Sequence, residues 1–196
     1  MALLRSRPFL WLVLALPGAW MLGRWWLTPD AYGYGHIIGD SGDWAAWLLM
    51  ATLAVTPIRL AFRRNSLAQY LMRKRRDIGV ASFAYAAGHT IIYLWRKADP
   101  AIIWDEASTP YVLAGWIAFA LFVPLAITSN DASMRMLKRG WKRLHQLVYP
   151  AAVLVFVHWA LSAFDPTTAY INIAILAAIE IVRVLLQWRQ RRSVRA

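Results

Sequence analysis

The stretch Leu144-His145-Gln146-Leu147-Val148-Tyr149-Pro150-Ala151-Ala152-Val153-Leu154-Val155-Phe156-Val157-His158-Trp159-Ala160-Leu161-Ser162-Ala163-Phe164 decides the fold. It holds no Asp, Glu, Lys or Arg, and it has the length of about 20 residues that a helix needs to cross a bilayer. In lipid the backbone must satisfy its own polar groups, so a lone apolar stretch of this length is read as a helix and not as a strand. Five more stretches are similarly long and apolar, at 8–27, 43–62, 78–95, 110–128 and 168–188; with 144–164 they make six spans. Turn-forming residues separate them, among them Thr28-Pro29-Asp30, Gly39-Asp40-Ser41-Gly42 and Asp165-Pro166. The predicted fold class is an all-α membrane protein, a single six-transmembrane-helix bundle over residues 1–196.

Composition agrees. Of 196 residues, 60% are hydrophobic and 16% charged, where a soluble domain carries about 25% charge. There is no cysteine, which excludes disulfides, thiolate-held iron–sulfur or zinc centres, and haem attached through Cys-x-x-Cys-His. Any redox centre must then be held by histidine, other polar side chains or backbone. The net charge of +12 would suit nucleic acid only if the basic residues shared one surface away from lipid. They crowd the span ends instead: Arg5 and Arg7; Arg59, Arg63, Arg64 and Arg73 to Arg76; Arg135, Lys138, Arg139, Lys142 and Arg143; and Arg189, Arg191, Arg192 and Arg195. All four groups fall on one side of an even-numbered bundle, which the positive-inside rule makes cytoplasmic, with both termini inside. The opposite loops hold Asp30, Asp40, Asp43, Asp99, Asp105, Glu106 and Asp165. The basic excess sets topology and meets anionic lipid; no nucleic-acid partner is expected. The first span resembles a secretory signal, but its apolar run exceeds the usual core and the six-span pattern retains it. Most tryptophans sit near the interfaces, as an aromatic belt.

Ionisable groups inside a bilayer are costly and mark function. Among four histidines, His89 and His158 lie deep in spans three and five. His89 is thirteen residues past Arg76 and His158 fifteen past Arg143, depths of about 20 Å and about 22 Å at helical rise. Two imidazoles at matched depth on different helices are what bis-histidine ligation of a b-type haem requires. Ala81, Ala84 and Gly88 form a small-residue ridge beside His89, open to a macrocycle or to ordinary helix packing. Arg96 follows His89 by two turns, placed to pair with a haem propionate or to snorkel to water. His145 stands at the basic edge; thirteen steps of about 100° set it about 140° from His158 on an ideal helix. Pro150 between them can reorient the chain. Three roles are open to His145: an inner haem with another partner, contact with a flavin or quinone, or an interface marker. His36 reads as a loop histidine, and Glu180 with Arg183 as an intrahelical ion pair.

The stretches Arg75-Arg76-Asp77-Ile78-Gly79-Val80 running to His89 and Trp141-Lys142-Arg143-Leu144-His145-Gln146-Leu147-Val148-Tyr149 running to His158 resemble the third and fifth helices of the MsrQ (YedZ) family. Leu53-Ala54-Val55-Thr56-Pro57 and Thr128-Ser129-Asn130 fit the same family, which belongs to the ferric-reductase-like transmembrane group. The resemblance implies a haem-binding subunit of the bacterial inner membrane that passes electrons to MsrP, a periplasmic molybdopterin subunit reducing methionine sulfoxide in proteins. It implies haem b, one or two, with His89 and His158 as ligands and His145 as a third family histidine. FMN, and electrons from the quinone pool or a cytosolic flavin reductase, are implied by the resemblance alone; no phosphate-binding glycine loop is present. Lacking a dinucleotide fingerprint, the chain is expected to be a conduit between a separate donor and a separate acceptor and not a catalyst by itself. The alternative is a stand-alone haem reductase of ferric iron or quinone.

Overall fold

A computed structural model describes residues 6–193; the basic residues Arg5 and Arg195 lie outside them. The chain runs α1 (Arg7–Leu27), α2 (Tyr34–Ala61), α3 (Ser66–Lys97), α4 (Pro100–Ala107), α5 (Pro110–Ile127), α6 (Asp131–Leu137), α7 (Arg139–Leu144), a 3₁₀ turn (His145–Leu147), α8 (Val148–Ser162) and α9 (Thr167–Ser193), with no strand among the described residues. Six helical stretches are long and apolar enough to cross a membrane. This is a multi-pass membrane protein.

Local signals explain where the helices start. Ser6 caps α1 by accepting a hydrogen bond from the Phe9 amide at 3.2 Å, with Pro8 just inside, where its missing N–H costs nothing. Asn65 caps α3 through bonds from the amides of Leu67 and Ala68. That cap lies well before the apolar stretch, so α3 starts at 66 and not 78, and Arg73 to Arg76 are already helical. Composition marks only the lipid-facing part of such a helix, whereas its cap sets its length. The same difference recurs in α2. Gly39 to Gly42, expected as a turn, are helical, because α2 begins after the extended Gly33. Asp43 is therefore an intrahelical residue and not a loop acid. Span five is divided where Pro150 withholds the N–H that would bond residue 146; a tighter 3₁₀ turn over His145–Leu147 precedes it.

Two helix pairs carry the packing, α2 on α3 and α5 on α8. They meet in a core of Leu49 and Leu53 from α2, Phe122 and Leu125 from α5, and Ala151 and Ala152 from α8. A second cluster joins Leu48, Val55, Ile78 and Ala81 to Trp11 and Leu14 of α1. α1 and α9 otherwise show apolar side chains outward, such as Leu12, Leu16, Ile171 and Ile175, the surface that lipid covers in a bundle of this kind. Polar bonds fix α1 in place. The Tyr85 hydroxyl donates to the Leu14 carbonyl and accepts from the Gly18 amide, both at 2.8 Å, inserting into the α1 ladder one residue after Pro17. At the other end Arg7 reaches the buried Asp77 of α3 at 2.7 Å.

One end of the bundle gathers Tyr32, Tyr34, Arg96, Glu106 and Tyr111, and the other gathers Arg7, Asp77, Arg76 and Asp131. These are the acidic-loop and basic-loop ends that the charge pattern sorted. At the basic end, Arg76 meets Asp131 of α6 at 2.5 Å, and this guanidinium holds the Asp131 carboxyl below the usual carboxylate range.

Candidate functional site

A cavity of about 580 Å³ opens among α2, α3, α5 and α8, nearer the acidic-loop end. Apolar side chains close its depth, with Phe119 and Phe122 from α5 and Val155 from α8. His89 reaches it from α3 and His158 from α8, and the two ring centres stand 6.1 Å apart with the ring planes crossed at 88°. The matched depths counted along the sequence are thus a real spatial pairing.

Hydrogen bonds fix the state of each ring. His89 Nδ1 lies 2.9 Å from the Ile38 carbonyl and His158 Nδ1 lies 2.7 Å from the Tyr111 carbonyl. A carbonyl can only accept, so each Nδ1 carries the proton and each Nε2 keeps its lone pair. This is the outer bond that a metal-ligating histidine ordinarily makes. Ser41 supports the first of these bonds, its hydroxyl donating to the same Ile38 carbonyl at 3.1 Å.

Two glycines make room for the rings. A Cβ on Gly42 of α2 would stand 3.2 Å from His89 Nδ1, and one on Gly115 of α5 would stand 2.9 Å from His158 Nδ1. Gly42 was read in the sequence only as a turn residue, and Gly115 was not singled out. The ridge that was singled out does something else. Ala81 is buried against α2, Ala84 is exposed, and Gly88 has open space where a Cβ would go.

The geometry fits a haem. A first-row metal sits about 2 Å from an imidazole nitrogen and the ring centre about 1 Å further back, so two such ligands across one metal stand about 6 Å apart. The 6.1 Å between the ring centres of His89 and His158 matches that spacing, and each ring is anchored through Nδ1. His89 and His158 could therefore hold one iron porphyrin between α3 and α8.

The other candidates fall elsewhere. Arg96 does not line the cavity; its guanidinium lies 5.7 Å over the ring of Tyr34, which does. Its neighbour Lys97 lines the mouth and meets Glu106 of α4 at 2.5 Å, and the Tyr93 hydroxyl donates to the same carboxylate at 2.9 Å. His145 is outside the cavity, at the basic end, stacked on Trp141 with ring centres 3.9 Å apart. Its Nε2 is 3.0 Å from the Thr128 hydroxyl, whose own hydrogen goes to the Pro124 carbonyl. His145 Nε2–H therefore donates, and Nδ1 is its open nitrogen. The ideal-helix angle between His145 and His158 does not apply, because the 3₁₀ turn separates them. His36 is not in a loop but in the first turn of α2, stacked on Tyr32. Glu180 and Arg183 do pair, at 2.6 Å, with Arg183 over the Tyr149 ring.

A family model described as ferric reductase like transmembrane component matches residues 41–156, a segment that holds His89 and ends two residues before His158. A relative from Rhizobium meliloti is 34% identical over 96% of this chain and 94% of its own length. The chain belongs to the MsrQ family. A Ralstonia nicotianae MsrQ is 37% identical over 85% of this chain and 79% of its own. A Xanthomonas campestris MsrQ is 40% identical over 76% of this chain, which spans 66% of that relative's length. Each of these MsrQ proteins is named a protein-methionine-sulfoxide reductase heme-binding subunit.

Proposed function

We propose that this chain is the membrane haem subunit of a protein-methionine-sulfoxide reductase system. In this reading His89 and His158 hold one b-type haem, and electrons leave toward MsrP, a molybdopterin partner in the periplasm. The observation that carries it is the crossed histidine pair, each ring presenting a free Nε2 to the cavity while a backbone carbonyl holds its Nδ1. A bound haem would supply one-electron redox chemistry. The chain's own residues do the rest. The Ile38 and Tyr111 carbonyls orient the ligands, Gly42 and Gly115 admit the rings, and Phe119, Phe122 and Val155 exclude water from the deep side.

The positive-inside pattern supports a bacterial inner-membrane protein with both termini cytoplasmic. The cavity then lies in the outer half of the membrane, on the side of a periplasmic acceptor. The donor is a quinone or a cytosolic flavin reductase at the basic face, where His145 is the family's third histidine. FMN comes with the family resemblance, and no residue of this chain is assigned to it.

The detergent-purified full chain tests this reading. Expected are about one haem b per chain by pyridine haemochrome, a sharp reduced α-band insensitive to carbon monoxide, and reoxidation by purified MsrP. A chain without haem, or one whose reduced haem takes up carbon monoxide as a five-coordinate centre, overturns the ligand assignment. Reoxidation by ferric chelates with none by MsrP overturns the partner and leaves a stand-alone reductase.

A further inference from the structure

The cavity is closed in its depth by apolar side chains; besides the two histidines its polar lining includes Asp43, Thr90 and Ser162, and at its mouth Lys97, Tyr93 and Glu106. There Lys97, Tyr93 and Glu106 form a closed set: the ammonium of Lys97 on one carboxylate oxygen and the Tyr93 hydroxyl on the other. Lys97 is the only lysine or arginine among the described residues that line the cavity. Its side chain and that of Glu106 are 31% and 28% exposed, half-sheltered at the rim. Glu106 comes from α4, a short helix outside the spans that is tied to the rim by these bonds and by its own chain connections. Lys97 and Tyr93 hold its carboxyl below the usual carboxylate range, so it sits there as an anion.

We infer that Lys97 and Tyr93 form the propionate anchor of the haem site, and that Glu106 occupies this anchor as a stand-in carboxylate when no porphyrin is bound. The inference rests on the haem reading above and adds to it the orientation of the ligand. A porphyrin held by His89 and His158 carries two carboxylates, which are costly in an apolar depth. Those groups must leave by the mouth. The rim there already holds a carboxylate in two-point contact, with an ammonium and a phenol as donors, and a charge-assisted bond of that kind is the strong sort. From His89 to Lys97 is eight residues, about 12 Å along α3, a distance on the scale of a porphyrin reaching from its axial ligand to its edge. The role first expected of Arg96 thus falls to the next residue. Arg96 stands behind Tyr34.

The test is a titration of the haem-free full chain in detergent with haem b and, separately, with haem b dimethyl ester, which keeps the iron and the macrocycle but has no anionic carboxylate. The expected result is that wild type binds haem b roughly ten- to a hundredfold more tightly than the ester. Lys97→Met should lose that preference while still binding the ester, and Lys97→Arg should keep most of it. Glu106→Gln frees the ammonium and should widen the preference, which provides a gain that misfolding cannot imitate. Equal affinity of wild type for both porphyrins, or a preference unchanged in Lys97→Met, overturns the anchor and leaves the histidine assignment standing. A wild-type chain that gives a six-coordinate spectrum with neither porphyrin overturns the haem reading, and this inference with it.

Discussion

His158→Ala and Gly115→Ala are expected to give the same result, a chain that inserts and folds but retains little or no low-spin haem. The first removes one of the two proposed ligand nitrogens outright. The second removes nothing: it adds one methyl group, 2.9 Å from His158 Nδ1 and 3.1 Å from Cε1, closer than a Cβ ordinarily stands to any atom. Backbone of α5 holds that methyl in place, so the imidazole has to move. Moving it breaks the bond from Nδ1 to the Tyr111 carbonyl and turns Nε2 away from the cavity. Loss of such an outer bond weakens metal binding about ten- to a hundredfold, and displacement of the ring adds to that. Gly88→Ala is the control, because a Cβ there meets open space, and it should keep a full haem complement. The measurement is haem content and α-band intensity in purified variants at matched detergent and protein concentration. If Gly115→Ala retains a wild-type spectrum, the cradle is not part of the site. His89→Ala should behave as His158→Ala does.

The second large effect concerns stability and lies at the opposite end of the bundle. Asp77 is 6% exposed, and its one hydrogen-bonded partner among the described residues is Arg7, which sends both Nε and a terminal nitrogen to the same oxygen, at 2.9 Å and 2.7 Å. Arg7→Met leaves a buried carboxylate with no counter-ion. Breaking a buried pair from one side costs about 3–5 kcal/mol. Because the Arg7 side chain is 60% exposed, screening by water places the expected loss below that range, at about 2–3 kcal/mol. The double variant Arg7→Met with Asp77→Leu removes both charges and should recover most of the loss. Thermal unfolding in detergent of the wild type, both single variants and the double variant checks this as a cycle. Equal stability of Arg7→Met and wild type would show that the pair is not what ties α1 to α3.

How much of this was legible beforehand differs by residue. Long apolar runs are their own evidence, and each of the six spans falls on a helix that can cross a membrane. The ends were less legible. Ser66–Arg76 and Tyr34–Gly42 are helical because caps and turns start them, and composition scanning sees lipid-facing character instead. The histidine pair could be counted out from the basic edges, since a rise of about 1.5 Å per residue turns sequence distance into depth. What surrounds the pair could not. Gly42 and Gly115 matter through contacts to histidines on other helices, and the Ile38 and Tyr111 carbonyls are backbone atoms that any residue would supply. Arg96 and Lys97 are adjacent in sequence and about 100° apart on the helix, so a helical wheel alone could not say which faces the cavity. The angle counted from His145 to His158 assumed one continuous helix, whereas His145 begins a 3₁₀ turn ahead of α8.

The crossing of the two imidazole planes at 88° has a further consequence. Both rings are pinned by backbone carbonyls, so neither is free to rotate into line with the other. Aligned axial imidazoles split the two iron orbitals that point between the porphyrin nitrogens; perpendicular ones leave them nearly degenerate, because each ring perturbs a different orbital. In a haem held as proposed, the crossed rings of His89 and His158 would act on the iron in the second of these ways. The oxidised chain should therefore give, by electron paramagnetic resonance, a single strongly anisotropic low-field feature in place of the well-resolved rhombic pattern of parallel ligands.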